Sequence, residues 1–475
     1  MGNQTGQAAA GRGGNPRRRG ARLAIVLMAA ALVTGPALAD PAEPPGSIPF
    51  SEIPGWEEGT TTAVLPPLLA SCARWAAMPA GYSLGGDGNI QALGGTPAQW
   101  RAACAALQRV SRTLPPLPRS SRRSPSTRSA APRAQAEAQA RRNLALRDAL
   151  ETLFIAQPAG TGLLTGYFEP ILRGALTPGE PYTVPLYARP PELVEASTGR
   201  GRRSWGVMQE GRLEPMPDRA AITAGAMAGR GLELAWVTDP LDAFILQIQG
   251  SGRVQLPNGA VLRLGYAGQN GLPFRSVEQI MTRRGVMGPN GPRTLRELIA
   301  AAGPEVLHEN PSYVFLRRVE GLRNDQGPIG ALGVPLTSER SLAVDPAQVP
   351  LGAPVFLAPA AGAPARAAPR LVVAQDTGGV IRGPGRGDLF TGWGPEAEAR
   401  AMGINHPVTM FVLVPRPAEP EDMMVAGQTD RRASTQKLAQ GMLARPPARP
   451  LEEVAASRPQ RLPSGRVMVT IEPPQ

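Results

Sequence analysis

The chain has 475 residues, enough for two or three domains, and its 55 glycines, 53 prolines and 4% aromatic content point away from a helical protein and toward loop-rich β structure. Its formal charge of +12 comes almost wholly from arginine, with Lys437 the single lysine, and much of the excess lies in 1–39 and 112–133, so it reads as solvated segments and not as a nucleic-acid surface. Two cysteines and two histidines, His308 and His406, are too scattered for a structural zinc site, and neither metal nor cofactor is expected.

Arg17, Arg18, Arg19 and Arg22 precede an apolar run over 23–33, and Ala37 and Ala39 occupy the positions that a signal peptidase reads. This predicts export with cleavage after Ala39. An uncleaved amino-terminal anchor is the alternative, although the run is shorter than the ~20 residues that cross a bilayer. No cysteine follows the run, so a lipid-bearing residue is not expected.

Residues 40–111 form the next predicted unit. Leu68, Leu69, Cys72 and Trp75 recur at helical spacing, and Cys104 lies in a second such run. An even cysteine pair in an exported chain predicts a Cys72–Cys104 disulfide between two short helices. Residues 112–133, rich in Ser, Pro and Arg, predict a linker. A helix over 134–154 follows, with Leu144, Ala145, Leu150 and Leu153 on its apolar side.

After Pro158 the pattern becomes short strands broken by Gly and Pro, at 163–168, 232–237, 244–249, 253–256, 261–266, 354–357, 371–375 and 408–414. One helical stretch, 276–302, interrupts them. Many short strands with few long helices favour barrels over a doubly wound parallel sheet. Residues 416–475 lose the pattern and are predicted to be disordered.

The stretch 375–390, QDTGGVIRGPGRGDLF, sets Asp376 and Asp388 across a glycine-rich turn. It has no Lys-Ser or Lys-Thr after its glycines, so it is not a Walker loop. The tripeptide Arg386-Gly387-Asp388 is too short to signify an adhesion ligand. The bland reading makes both aspartates turn caps. Against it, Asp376 closes the apolar run 371–374, the glycines permit close backbone approach, and burial beside Leu389 and Phe390 would raise the Asp388 pKa. A carboxyl kept protonated near neutral pH suits the general acid that a glycosidic oxygen requires. Glycosidases use two carboxyls at characteristic separations, which sequence does not give.

Six motifs in order carry a family resemblance. They are LTGYFEP at 164–170, QIQGSG at 247–252, YAGQNG at 266–271, NPSYVF at 310–315, SLAVD at 341–345, and the aspartate stretch continued by GWGPEA at 392–397. Together they resemble the lytic murein transglycosylase A family over 163–414. The resemblance implies a mainly β protein with a double-psi β-barrel, a second smaller β-barrel inserted into it, and a glycan groove between them. The expected boundaries are 134–185 and 270–415 for the first barrel, with the three-aspartate part at 330–415, and 186–269 for the insert.

It further implies cleavage of the β-1,4 bond between N-acetylmuramic acid and N-acetylglucosamine without water, leaving a 1,6-anhydro end. Asp345, Asp376 and Asp388 match the three aspartates. Asp388 would act as acid and then base, with Asp376 supporting it, while Asp345 is divided between a supporting role near substrate and a simple turn. Gln249, Gly250, Ser251 and Gly252 are candidates to meet the glycan. Tyr167 and Tyr266 are candidates to stack on sugar, with core packing as the alternative. Glu169 reads as a solvated strand end and His406 as a packed histidine.

The implied partners are peptidoglycan glycan strands and other cell-wall enzymes, with no nucleic acid, for a monomer in the periplasm. Outer-membrane association is typical of the family's lipoprotein branch, but the lipid-bearing cysteine is missing here. A hydrolase using Asp376 with Asp388, and a non-catalytic peptidoglycan-binding protein, are the competing readings.

Overall fold

The computed structural model describes residues 44–117, 130–197, 203–288, 291–292 and 294–417. The expected leader with its cleavage point at Ala39, the middle of the 112–133 linker and nearly all of 416–475 lie outside the described residues. The ends of that linker are helical, belonging to the helices Pro97–Thr113 and Ala130–Leu153.

The amino-terminal helices form because their starts are capped and one face of each is apolar. Leu65–Ala76 has proline in its first turn and buries Leu68, Cys72 and Trp75. Pro97–Thr113 opens with a capping box between Thr96 and Gln99 and buries Trp100, Cys104 and Leu107. A disulfide joins Cys72 to Cys104, and the Trp75 and Trp100 rings stack with centroids 4.4 Å apart. In Ala130–Leu153 the buried leucines are Leu146 and Leu150, four residues apart, whereas the expected Leu144 is 49% exposed. This helix packs on Pro97–Thr113, so it belongs with the amino-terminal helices as much as with the barrel that follows.

Fifteen strands are described: β1 Phe154–Glu169, β2 Ile171–Ala175, β3 Val184–Tyr187, β4 Leu193–Ser197, β5 Arg203–Gln209, β6 Arg212–Glu214, β7 Glu233–Val237, β8 Ser251–Gln255, β9 Val261–Gln269, β10 Val314–Arg318, β11 Ser341–Val344, β12 Pro354–Pro359, β13 Arg370–Thr377, β14 Gly387–Trp393 and β15 Asn405–Pro415. Six of them close into a barrel in the order β1-β14-β11-β13-β12-β15. β13 reads as an unbroken apolar run because both of its faces are covered, one by the barrel interior and one by the amino-terminal helices.

Between β1 and β11 the chain leaves the barrel. Pro170, which has no N–H to continue a ladder, ends β1, and β2 then pairs with β8. A six-stranded sheet in the order β10-β9-β8-β2-β7-β3 results, and an isolated bridge between Ala188 and Leu316 joins its two edges. A three-stranded sheet of β4, β5 and β6 accompanies it. The insert's strands thus run from Ile171 to Arg318 and exceed the expected 186–269, because β2, β3 and β10 find their partners there and not in the barrel.

Residues 244–249, expected as a strand, lie in the helix Pro240–Gln249. Leu246-Gln247-Ile248-Gln249 alternates like a strand, but the punctuation upstream and downstream prevails. Asp239 accepts the Leu241 N–H at the start, Pro240 opens the first turn, and Gly250 takes the left-handed conformation (φ 75°) at the end. Apolar residues cover both sides of the helix because it lies between two clusters, one around Leu246 and Val254, the other around Phe244, Met281 and Leu298. The expected 276–302 helix is two helices, Val277–Arg283 and Leu295–Ala302.

Glu169 departs most from expectation. It is fully buried, with Arg253 Nε 2.8 Å from its Oε2 and Arg263 Nη2 2.9 Å from its Oε1. Both guanidinium groups also donate to the Gln326 carbonyl, and that of Arg253 lies 4.2 Å from the centroid of the Trp393 ring. A carboxylate at the end of β1 therefore clasps two insert strands, the returning chain and the end of β14 at the junction of the two β units.

Candidate active site

Strand register assembles the aspartates. Asp388 on β14 lies opposite Thr165 on β1 and Ala343 on β11, and Ala343 in turn lies opposite Asp376 on β13. The row Thr165, Asp388, Ala343, Asp376 thus crosses four neighbouring strands. Two strand spacings place the aspartate α-carbons roughly 10 Å apart, with only a methyl side chain between them. The register of β13 against β11 shifts at this point: Leu342 faces Ala374 and Ala343 faces Asp376, leaving Gln375 as the surplus residue of a bulge. Gln375 is fully buried and binds Ser341, Pro67 O and Ser71.

Both oxygens of Asp376 are occupied. Ala331 N–H donates to Oδ1 at 2.9 Å and the Tyr167 hydroxyl to Oδ2 at 2.7 Å. Burial raises the Asp376 pKa, and hydrogen bonds from Tyr167 and from the Thr377 and Ala331 amides act against that. Tyr167, two residues past Thr165 and so on the same face of β1, is itself held well above the ordinary phenol range by burial and by Asp376, and stays a donor.

Asp388 is arranged differently. Thr165 Oγ1 donates to its Oδ1 at 2.8 Å, and among the described residues no donor reaches Oδ2. Burial pushes its pKa up to about 6; the Thr165 hydrogen bond and the Arg386 charge pull it down, and the Asp376 charge raises it. One carboxyl therefore has a donor on each oxygen, while the other has an oxygen that no described donor reaches and an acid strength suited to proton transfer near neutral pH.

The coupling gives a test. Tyr167→Phe removes a hydrogen bond that favours ionised Asp376, so the Asp376 pKa is expected to rise. Asp376 then carries less charge at a given pH, and the Asp388 pKa is expected to fall. Carboxyl titration by carbon-13 NMR checks this; two pKa values moving together would contradict it.

The remaining candidates lie outside this row. Asp345 is 9% exposed, and its oxygens accept the Ala347 and Gly383 amides at 3.1 and 2.8 Å, so it braces the glycine-rich turn. Gly385 in that turn has φ 66°, and a Cβ there would lie 2.5 Å from Gly162 N. Gln249 Oε1 accepts the Phe168 amide at 2.9 Å, tying the helix Pro240–Gln249 to β1. Gly250 caps that helix, Ser251 is buried on β8, and a Cβ on Gly252 would meet Leu246 at 2.4 Å. Tyr266 is 43% exposed on β9 with Trp205 edge-on to it, and no described contact links it to either aspartate. His406 lies opposite Leu164, its Nδ1 3.1 Å from Pro407 O.

Sequence reasoning did not single out Thr165, although it stands inside a quoted motif, nor Ala331, which acts through a backbone amide that no sequence signal marks. Among the described residues no cluster of His, Cys, Asp and Glu could hold a metal ion, and no described helix is long and apolar enough to cross a membrane.

Comparison with known proteins agrees with this geometry. The model of the MltA specific insert domain matches residues 163–317, and that of the 3D domain matches 340–414. The membrane-bound lytic murein transglycosylase A of Escherichia coli K12 is 32% identical over 275 residues, covering 54% of this chain and 67% of that protein. The Vibrio cholerae protein of the same name is 29% identical over 260 residues, covering 52% and 64%. Among solved structures, a membrane-bound lytic murein transglycosylase from Agrobacterium tumefaciens superposes with a TM-score of 0.61 at 29% identity, covering 78% of this chain and 97% of that one. MltA from Neisseria gonorrhoeae gives 0.57 at 26%, covering 79% and 93%. With both domain models in sequence order and the two aspartates aligned across one barrel wall, the chain belongs to the membrane-bound lytic murein transglycosylase A family.

Proposed function

We propose that this chain cleaves the MurNAc-β-1,4-GlcNAc bond of peptidoglycan without water, with Asp388 as the sole acid and base. The observation that carries this is the asymmetry of the pair. Asp388 is a half-buried acid with an oxygen that no described donor reaches and a pKa near 6, whereas both oxygens of Asp376 are engaged. The two donors hold Asp376 in a supporting orientation, and this favours Asp388 as the group that exchanges the proton.

In the proposed reaction, protonated Asp388 donates to the glycosidic oxygen as the C1–O bond of MurNAc breaks. The resulting carboxylate takes the proton of the MurNAc C6 hydroxyl while O6 bonds to C1. Asp388 ends as it began, protonated, and no water is consumed. The ionised share of Asp376 helps to hold the proton on Asp388, and Thr165 fixes the carboxyl's orientation. The site acts outside the cytoplasmic membrane; the predicted leader ending at Ala39 and the disulfide support export.

Mass analysis of the soluble products from purified sacculi tests the reaction. Muropeptides lighter by one water than hydrolytic products are expected. Reducing ends would replace this reading with the hydrolase, and a lack of soluble product would replace it with a binding protein. Because the acid form of Asp388 starts the cycle, the initial rate should fall about tenfold per pH unit above a midpoint near 6. A rate that climbs through that range would assign the first step to another group.

A further inference from the structure

A concavity of about 330 Å³ is lined in part by Ala331. One wall is amino-terminal, including Tyr82, Ser83 and Leu84; the other includes Ala331, Pro346 and Ala347. Ala331 is the residue whose amide holds Asp376 Oδ1, while Tyr167 holds Oδ2 from the β1 side. Ala331 thus links the wall of the concavity to the Asp376 end of the row.

Its walls are preformed. Leu351 N donates to Leu84 O at 2.8 Å, Gly86 N to Pro346 O at 2.8 Å, and Arg74 Nε to Leu332 O at 3.0 Å. Gly85, with φ 96°, lies so close to Pro346 that a Cβ would fall 2.0 Å from its carbonyl oxygen. No residue lining the pocket carries a charge, and Tyr82 at its mouth is 53% exposed. The Arg74 guanidinium is engaged with the Leu332 carbonyl, and the lining itself offers an acidic stem peptide no counter-charge. A neutral, hydroxyl-bearing ring would find the aromatic face of Tyr82, the hydroxyl of Ser83 and an apolar floor.

We propose that this pocket is a distal glycan subsite that takes one uncharged N-acetylhexosamine unit of the strand being cut, with Tyr82 as its stacking face. Two strand spacings already separate Asp388 from Asp376, so the occupant lies more than one sugar away from the scissile bond. The Tyr82 segment precedes both matched regions, 163–317 and 340–414, so the subsite belongs to the amino-terminal helical unit. The inference rests on the glycan reading of the Asp388 site.

The test uses Asp388→Asn to keep ligands intact and measures Kd by calorimetry for a chitin disaccharide and a chitin hexasaccharide. The hexasaccharide should bind more tightly than the disaccharide. Adding Tyr82→Ala should weaken it roughly tenfold, the scale of one aromatic contact, and leave the disaccharide unchanged, while Tyr82→Phe should retain the affinity. An unchanged hexasaccharide Kd in the Tyr82→Ala variant, or no gain of hexasaccharide over disaccharide in its parent, overturns the subsite. A free stem peptide that loses affinity in place of the oligosaccharide also overturns it, in favour of a peptide pocket. Product masses judge the reaction separately: reducing products together with a Tyr82-dependent hexasaccharide Kd would remove the transglycosylase and leave the subsite standing.

Discussion

Asp388→Asn is expected to cut the release of soluble muropeptides by roughly 10²–10⁴-fold and, at the same time, to make the protein harder to unfold at neutral pH. The first effect follows from losing the one carboxyl among the described residues of the site that has an open oxygen and a suitable acid strength. The second follows from the direction of its pKa shift. In the folded protein the value is about 6, above the ordinary 3.8. The folded state thus binds this proton more tightly than the unfolded chain does. Below about pH 4 both states hold it and its burial is tolerated; as pH rises to 6 and beyond the folded state must ionise a half-buried carboxyl, at a cost on the order of 3 kcal/mol. Asparagine avoids that cost. Melting curves at pH 8 should favour the variant, and the difference should vanish near pH 4. A variant that is inactive and also less stable at pH 8 would mean that Asp388 supports the fold, which is incompatible with its role as the acid.

Glu169→Ala is expected to lower the unfolding free energy by about 3–5 kcal/mol, the range for leaving a buried charge without its partner. The side chains of Arg253 and Arg263 are each 7% exposed, so neither guanidinium has bulk water to fall back on. Equilibrium urea unfolding measures this. The exposed pair Arg323–Asp325, 2.9 Å apart, is the control, and its removal is expected to leave the unfolding curve nearly unchanged. Similar losses for the two variants would show that the Glu169 cluster does not act as a buried unit. The change should also depress glycan cleavage, because the clasp joins the barrel to the insert beside Trp393 at the end of the strand that carries Asp388.

Much of the barrel was legible because its strands are short apolar runs ended by glycine or proline; 371–375 and 408–414 fall inside β13 and β15. Residues 244–249 were not, since a helix covered on both sides loses its single apolar stripe and its last residues alternate by chance. Glu169 shows why local reading fails for buried charge: its arginines lie 84 and 94 residues further along the chain, and nothing in GYFEP announces them. Within the site, Asp376 and Asp388 were visible through the glycine turn and their apolar neighbours. Their difference in role was not, because it depends on a threonine hydroxyl from another strand and on an amide of Ala331. Asp345 was visible as an aspartate, but its use inside the turn depends on the Gly383 amide, which sequence does not mark.

The surplus residue Gln375 has a wider meaning. Side chains alternate along a strand, so a strand offers a site only one of two phases, and a single extra residue selects between them. Without the bulge, Gln375 would oppose Ala343, and Asp376 would fall in the opposite phase from Asp388. The phase is held by the Gln375 carboxamide through its bonds to Pro67 O and Ser71 on the helix Leu65–Ala76. A helix that touches neither aspartate thus acts as the key of the acid pair, deciding whether the chain has two carboxyls in one place or one on each side of a wall.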